Sequence, residues 1–180
     1  DSAAQGLLWY FLIKLCFRTC CLFAAGWAAT KYVDMEEAKA SQSSTGHGAV
    51  ATRAIDGNTA SQWGEASCTH TQNGTPEWWQ VDLGGTCAIY DFHLCHRTDC
   101  CQDRLVSAEI YVSATDTYSD GTLCGALSDY SSNPERSVCP NAEGQYVTVF
   151  MDGGSSGGQH MTPTHCASAD TSKATMETMK

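Results

Sequence analysis

The chain has 180 residues, with 10 Lys and Arg against 20 Asp and Glu, for a formal net charge of −10. That length holds one domain plus a terminal segment, and the scattered acidic residues leave no basic stripe to neutralise phosphates, which argues against a nucleic-acid partner. Eleven cysteines point to an oxidising, secretory setting, and the odd count implies a left-over thiol or a bridge between chains.

The first element in chain order is apolar: Leu7 to Ile13, then Cys20 to Ala28, interrupted by Lys14 and Arg18. Those charges argue against a spanning helix. Residues 1–28 therefore read as a signal-like leader, with a basic n-region, a short apolar h-region and cleavage near Ala28 beside the small residue Gly26. An uncleaved anchor is the alternative. On the leader reading Cys16, Cys20 and Cys21 depart, eight cysteines remain, and the mature chain has no membrane span.

From residue 32 onward no stretch repeats apolar residues at helical spacing; short runs alternate instead. Trp79, Val81 and Leu83 share one face, and Ala88, Tyr90, Phe92 and Leu94 share another. Ala108, Ile110 and Val112, then Val147, Val149 and Met151, follow the same period. Gly, Ser, Asn and Asp clusters separate the runs. The pattern predicts an all-β sandwich, a single domain with binding loops at one end. After Gly153 a Gly/Ser stretch reads as a linker, and Ala167 to Lys180 is polar without alternation, so residues 167–180 are predicted to be a disordered tail.

The chemistry concentrates in Arg97-Thr98-Asp99-Cys100-Cys101-Gln102-Asp103-Arg104. Adjacent cysteines close no useful loop of chain. Bonded to each other they form an eight-membered ring, a rigid, weakly polar plate on which C–H groups can pack. Two guanidinium forks beside such a plate suit a small polyhydroxy ligand. Spacing alone leaves open the other reading, in which each cysteine pairs elsewhere. His93-x-Cys95-His96 raises zinc, but the spacing fits no zinc knuckle, and on a strand the two histidines point to opposite faces.

His70, in Ser67-Cys68-Thr69-His70, together with Arg97-x-Asp99-x4-Arg104 and the cysteine pair, resembles the fucose-binding motif of F-type lectins (fucolectins). The likeness extends over roughly residues 32 to 151 and includes Ala40-Ser41-Gln42-Ser43-Ser44, Arg53-Ala54-Ile55-Asp56-Gly57-Asn58-Thr59 and Trp78-Trp79-Gln80-Val81-Asp82-Leu83-Gly84. It implies a galactose-binding-like jelly roll over 32–166. It also implies L-fucose held by His70, Arg97 and Arg104, with Asp99 between the guanidiniums, Cys100 and Cys101 stacked on the sugar edge, and Trp63 over its methyl group. His47 either edges the pocket or is an exposed loop histidine.

The resemblance further implies calcium held by oxygens of Arg53, Asp56, Asn58, Ser67 and Cys166, the class of ligand a hard cation prefers. It implies the disulfides Cys100–Cys101, Cys124–Cys139 and Cys68–Cys166, leaving Cys87 and Cys95 as thiols or for an intermolecular bridge. The likeness falters after residue 151: where the family has an apolar closing strand with a Cys-Glu pair, this chain has Met161-Thr162-Pro163-Thr164-His165-Cys166-Ala167, with the cysteine in a plausible place but without the glutamate or the strand.

The expected protein is a secreted lectin without enzymatic activity. Its partners are fucosylated glycans and glycoproteins, in innate defence or in gamete binding of the sperm bindin type, with homo-oligomerisation as a route to avidity; a secretory vesicle is an alternative location. The competing class is a discoidin-like adhesion domain binding phospholipid or protein, to which the Trp78–Gly84 stretch alone also points. A glycosidase would need two carboxylates at a defined separation across a cleft, and no motif singles out such a pair.

Overall fold

The computed structural model describes residues 37–72, 76–128, 131–133 and 135–152, together with the backbone of 164–165. The signal-like segment, the Gly/Ser stretch, Cys166 and the 167–180 tail lie outside the described residues. Among the described residues there is no α-helix. The elements are β1 (Lys39–Gln42), β2 (Thr69–His70), β3 (Glu77–Leu94), β4 (Glu109–Ser113), β5 (Thr122–Ala126), β6 (Glu135–Met151) and β7 (Thr164–His165), with short 3-10 turns between them.

Five strands form one antiparallel sheet in the order β1-β3-β6-β4-β5, and β2 pairs with β7. Period-two alternation sets which residues enter the core. Trp79 and Val81 from β3, Ile110 and Val112 from β4, and Val147 and Val149 from β6 are all buried to within 2% exposure. Each such side chain contributes on the order of 1.5–3 kcal/mol of transfer free energy. Trp79 also donates from Nε1 to the carbonyl of Ala51 at 3.0 Å. This bond fastens the 3-10 turn Ala51–Ile55, with its buried Ala51 and Ala54, over the sheet.

Two departures from the sequence reading have physical causes. Ala88, Tyr90, Phe92 and Leu94 do not share a face: Cys87 and Ile89 are buried with Phe92 and Leu94, whereas Tyr90 is 39% exposed. The β3–β6 register shifts between Ile89 and Asp91, and the buried positions of β3 change parity across this irregularity, from Cys87 and Ile89 to Phe92 and Leu94. The second departure lies near the C-terminus, where the sequence offered no closing strand. There Thr164–His165 forms a two-residue strand, with Thr69 opposite His165 and His70 opposite Thr164.

Candidate functional site

Two segments build the site: the stretch between β1 and β2, and the turn that follows β3. Gln42, the last residue of β1, organises the first. Its Nε2 donates to Thr45 Oγ1 and to the carbonyls of Ala49 and His70 at 3.1–3.2 Å, and its Oε1 accepts from Thr69 Oγ1. The Gly46 amide donates to the His70 carbonyl at 2.8 Å. A Cβ at Gly46 would lie 2.5 Å from His70 Nδ1, so a glycine is needed for the loop to close on the imidazole. The His70 ring is thereby buried to 5% exposure. Its Nδ1 has no hydrogen-bond partner among the described residues.

The turn after β3 presents the arginines. Cys100 and Cys101 are disulfide-bonded to each other and half-buried. Cys101 has a φ of 65°, a left-handed conformation costly for a non-glycine residue. That reversal starts the 3-10 turn Gln102–Leu105, which carries Arg104 and is anchored by buried Leu105. Arg97, on the near side of the cysteines, donates from Nε and Nη2 to the two carboxylate oxygens of Asp99 at 2.7 and 2.9 Å.

Trp63 joins the two segments. Its amide donates to Asp99 Oδ2 at 3.3 Å, the Arg97 guanidinium lies 5.1 Å from its ring centroid, and its ring meets His70 edge-on at 5.6 Å. His47 stands edge-on to both, 5.0 Å from His70 and 6.1 Å from Trp63. His47 is exposed, and Trp63 is at the site rather than in the core. The carboxylate of Asp99 thus serves both the Arg97 guanidinium and the amide of the Trp63 loop.

Electrostatics follow from this crowding. The Arg97 guanidinium, first through its hydrogen bonds, holds the Asp99 carboxyl down at about 2. Burial pushes His70 below its ordinary 6.5, and the nearby His47, Arg104 and Arg97 charges act in the same direction, against a backbone hydrogen bond at Thr71. His70 is thus the uncharged member of a pocket with two fixed cations. The unfolded chain takes up a proton at 6.5 before the folded one does, so stability should fall as pH drops through 6.5 toward the lowered value. Melting of wild type and His70→Gln between pH 7.5 and 5 checks this. The variant should show a shallower slope, and parallel slopes would refute the assignment.

The residues implied as calcium ligands form a second cluster close in sequence. Asp56 Oδ1 accepts from the Asn58 amide at 2.8 Å, Asn58 Oδ1 accepts from the Ala60 amide at 3.0 Å, and Ser67 Oγ donates to the Asn58 carbonyl at 2.5 Å. Arg53 Nη1 donates to the Cys68 carbonyl at 3.3 Å. Gly57 turns the loop with a φ of 75°. Asp56, Asn58 and Ser67 therefore offer a carboxylate, a carbonyl and a hydroxyl within one loop, a donor set of the right chemistry for a hard cation. Cys166 lies outside the described residues.

Cys124 is bonded to Cys139, joining β5 to β6. Cys68 is disulfide-bonded, and its implied partner Cys166 is outside the described residues. Cys87 and Cys95 are buried. His96 places Nδ1 2.8 Å from the Arg97 carbonyl and Nε2 2.9 Å from that of Ser132, whereas His93 faces Asp91 at 3.5 Å. The two histidines serve separate structural contacts.

The antiparallel sheet and its loop-borne basic pocket define an all-β, galactose-binding-like jelly-roll domain. A family model described as a NedA-like, galactose-binding domain matches residues 53–149. Fucolectin-1 of Anguilla japonica is 34% identical over 122 residues, covering 63% of this chain and 68% of that protein. The structure of a fucolectin from striped bass (Morone saxatilis) serum superposes with a TM-score of 0.66 at 28% identity, covering 76% of this chain and 45% of that one. The lectin domain of lectinolysin, complexed with Lewis b antigen, gives 0.63 at 27% identity, covering 73% and 90%. The chain belongs to the F-type lectin family. It spans 25% of one curated relative and 59–68% of several others.

Proposed function

We propose that this domain is a secreted, non-enzymatic lectin that binds terminal L-fucose. The observation that supports it most is the convergence of His70, Arg97 and Trp63, near enough to Arg104 for its charge to bear on His70, with the Cys100–Cys101 disulfide on the same turn as the two arginines. The guanidiniums donate to ring and hydroxyl oxygens through charge-assisted bonds, the strong kind. Asp99 keeps the Arg97 fork aimed, and the Trp63 ring and the disulfide offer apolar surfaces to the methyl and C–H edges of the sugar. The relatives named fucolectins and the lectin complexed with Lewis b antigen support the same ligand class. The disulfides support an oxidising, extracellular setting.

A single monosaccharide pocket binds weakly, so useful avidity requires multivalent display, by self-association or by a longer parent chain. The phospholipid-binding alternative would call for exposed apolar spikes on the loops. Among the described residues, three of the four exposed large hydrophobics, Tyr90, Leu123 and Val138, sit on strands instead, and Val50 alone is on a loop. Titration with methyl α-L-fucoside, against galactose, mannose and phosphatidylserine vesicles, tests the reading. Saturable binding of the fucoside alone is expected; vesicle binding without sugar binding would overturn it.

Calcium belongs to the same proposal. Asp56, Asn58 and Ser67 would hold it, with the carbonyls of Arg53 and Cys166 as further ligands. Bound there, the ion would neutralise Asp56 and cross-link the loop. A ligand at a hundred times its Kd stabilises a fold by about 2.7 kcal/mol. Chelator should therefore lower the melting midpoint more than it weakens the sugar contacts themselves. Identical melting with and without chelator would mean that this chain holds no calcium.

A further inference from the structure

The two segments of the pocket are joined by contacts outside the sugar motif. The Thr98 amide donates to the Ser61 carbonyl at 3.0 Å, and the hydroxyls of Ser61 and Thr98 are 2.8 Å apart. Thr98 is flanked by Arg97 and Asp99, and its carbonyl accepts from Gln102 Nε2 at 3.0 Å, on the turn that carries Arg104. Ser61 directly follows the Asp56–Ala60 loop and precedes Trp63 by two residues. Beyond it, Gln62 and Glu65 form a reciprocal capping box that stiffens the Trp63–Glu65 turn, a device satisfying two orphan amides at once.

We propose that Ser61 and Thr98 are positioning residues for the sugar site. Their paired backbone and hydroxyl bonds clasp the Trp63 loop to the Arg97 turn, so that guanidinium, indole and Asp99 act as one preorganised unit. The proposal rests on the lectin reading for its ligand. The physical basis is geometric: Arg97 must keep both its fork on Asp99 and its charge over the Trp63 ring. Those partners arrive from different segments. Asp99 alone cannot fix both, because its own bond to the Trp63 amide is long, at 3.3 Å. A second crossing one residue away removes the remaining hinge freedom, and holding binding groups in place before the ligand arrives raises affinity.

Reciprocity follows. The clasp ends where the Asp56–Ala60 turn begins, and Ala60 is itself tied to Asn58. Ordering that turn therefore favours the closed clasp, and a bound sugar stiffens the turn by the same linkage.

The test uses the full chain with Ser61→Ala, Thr98→Val and Thr98→Ser, titrated with methyl α-L-fucoside. Ser61→Ala and Thr98→Val should each weaken binding about three- to tenfold. Thr98→Ser, which keeps the hydroxyl, should stay within about twofold of wild type. Thermal midpoints should move by no more than about 4 °C, and Thr98→Val combined with Asp99→Asn should cost less than the sum of the two. Wild-type affinity in Thr98→Val, or Thr98→Ser as weak as Thr98→Val, overturns the proposal. Should the wild-type chain bind no fucoside, the lectin reading fails and the clasp is judged without sugar. Amide exchange at Trp63 and Thr98 should then be faster in Ser61→Ala and Thr98→Val, and unchanged exchange refutes it.

Discussion

Replacing Arg97 by alanine should weaken fucose binding by on the order of 1.5–3 kcal/mol, roughly ten- to a hundredfold in Kd. Three losses coincide. The sugar loses a charge-assisted donor; Asp99 loses the partner whose two bonds, at 2.7 and 2.9 Å, hold it near 2; and the Trp63 ring loses the cation over its face. Arg104→Ala removes a donor without touching the Asp99 fork, so its cost should be the smaller of the two. Arg97→Lys separates charge from shape, because an ammonium cannot take both carboxylate oxygens in a planar fork. It should recover only part of the affinity. Fold stability should change less than binding in all three, since the Arg97–Asp99 pair lies in a surface turn, with the Asp99 side chain 34% exposed and that of Arg97 14%, and ion pairs open to solvent contribute little. Titration calorimetry with parallel melting curves measures both quantities. An Arg97→Ala domain that binds as wild type would mean that the motif in this chain does not bind sugar.

Much of this was legible in the sequence, for reasons specific to particular residues. Trp79, Val81, Ile110, Val112, Val147 and Val149 alternate without interruption, and an antiparallel sheet with one buried face reads directly from such runs. The error at Ala88 to Leu94 arose because a bulge leaves no mark in residue type: Tyr90 looks as fit for a core as Ile89. Of the candidate site, the local part (Arg97, Asp99, the cysteine pair and Arg104) stands in one short stretch of sequence, whereas the sugar reading and the roles of His70 and Trp63 entered through the family resemblance. What lies between segments was not legible. Nothing in Ser61 or Thr98 as residue types announces a clasp, since both look like ordinary loop hydroxyls. That Gly46 admits the His70 ring follows only from the closeness of Nδ1. Sequence sees local chemistry; contacts between distant loops need the fold.

The vicinal disulfide gives the other large effect, and it separates function from stability. Reducing Cys100–Cys101, or changing both to serine, should remove most fucose binding while leaving the melting midpoint nearly unchanged. A disulfide stabilises chiefly by restricting the unfolded chain, in proportion to the logarithm of the loop it closes. Between adjacent residues that loop is minimal. Cys124–Cys139 spans 15 residues and ties β5 to β6, so its loss should destabilise the fold by roughly 3 kcal/mol. The plate does local work instead. Cys101 is held left-handed, at the head of the 3-10 turn that delivers Arg104, whose amide bonds back to the Cys101 carbonyl at 3.3 Å. Without the ring the chain can relax to an ordinary backbone conformation and take Arg104 with it, and two serine hydroxyls would hydrate the surface on which the sugar packs. Half-buried sulfurs are also open to attack by an external thiolate. Mild reductant should therefore end binding before it unfolds the domain, and reoxidation should restore it. Peptide mapping that joins Cys100 or Cys101 to any other cysteine, or binding that survives only as long as the fold does, would show that the plate has no separate role.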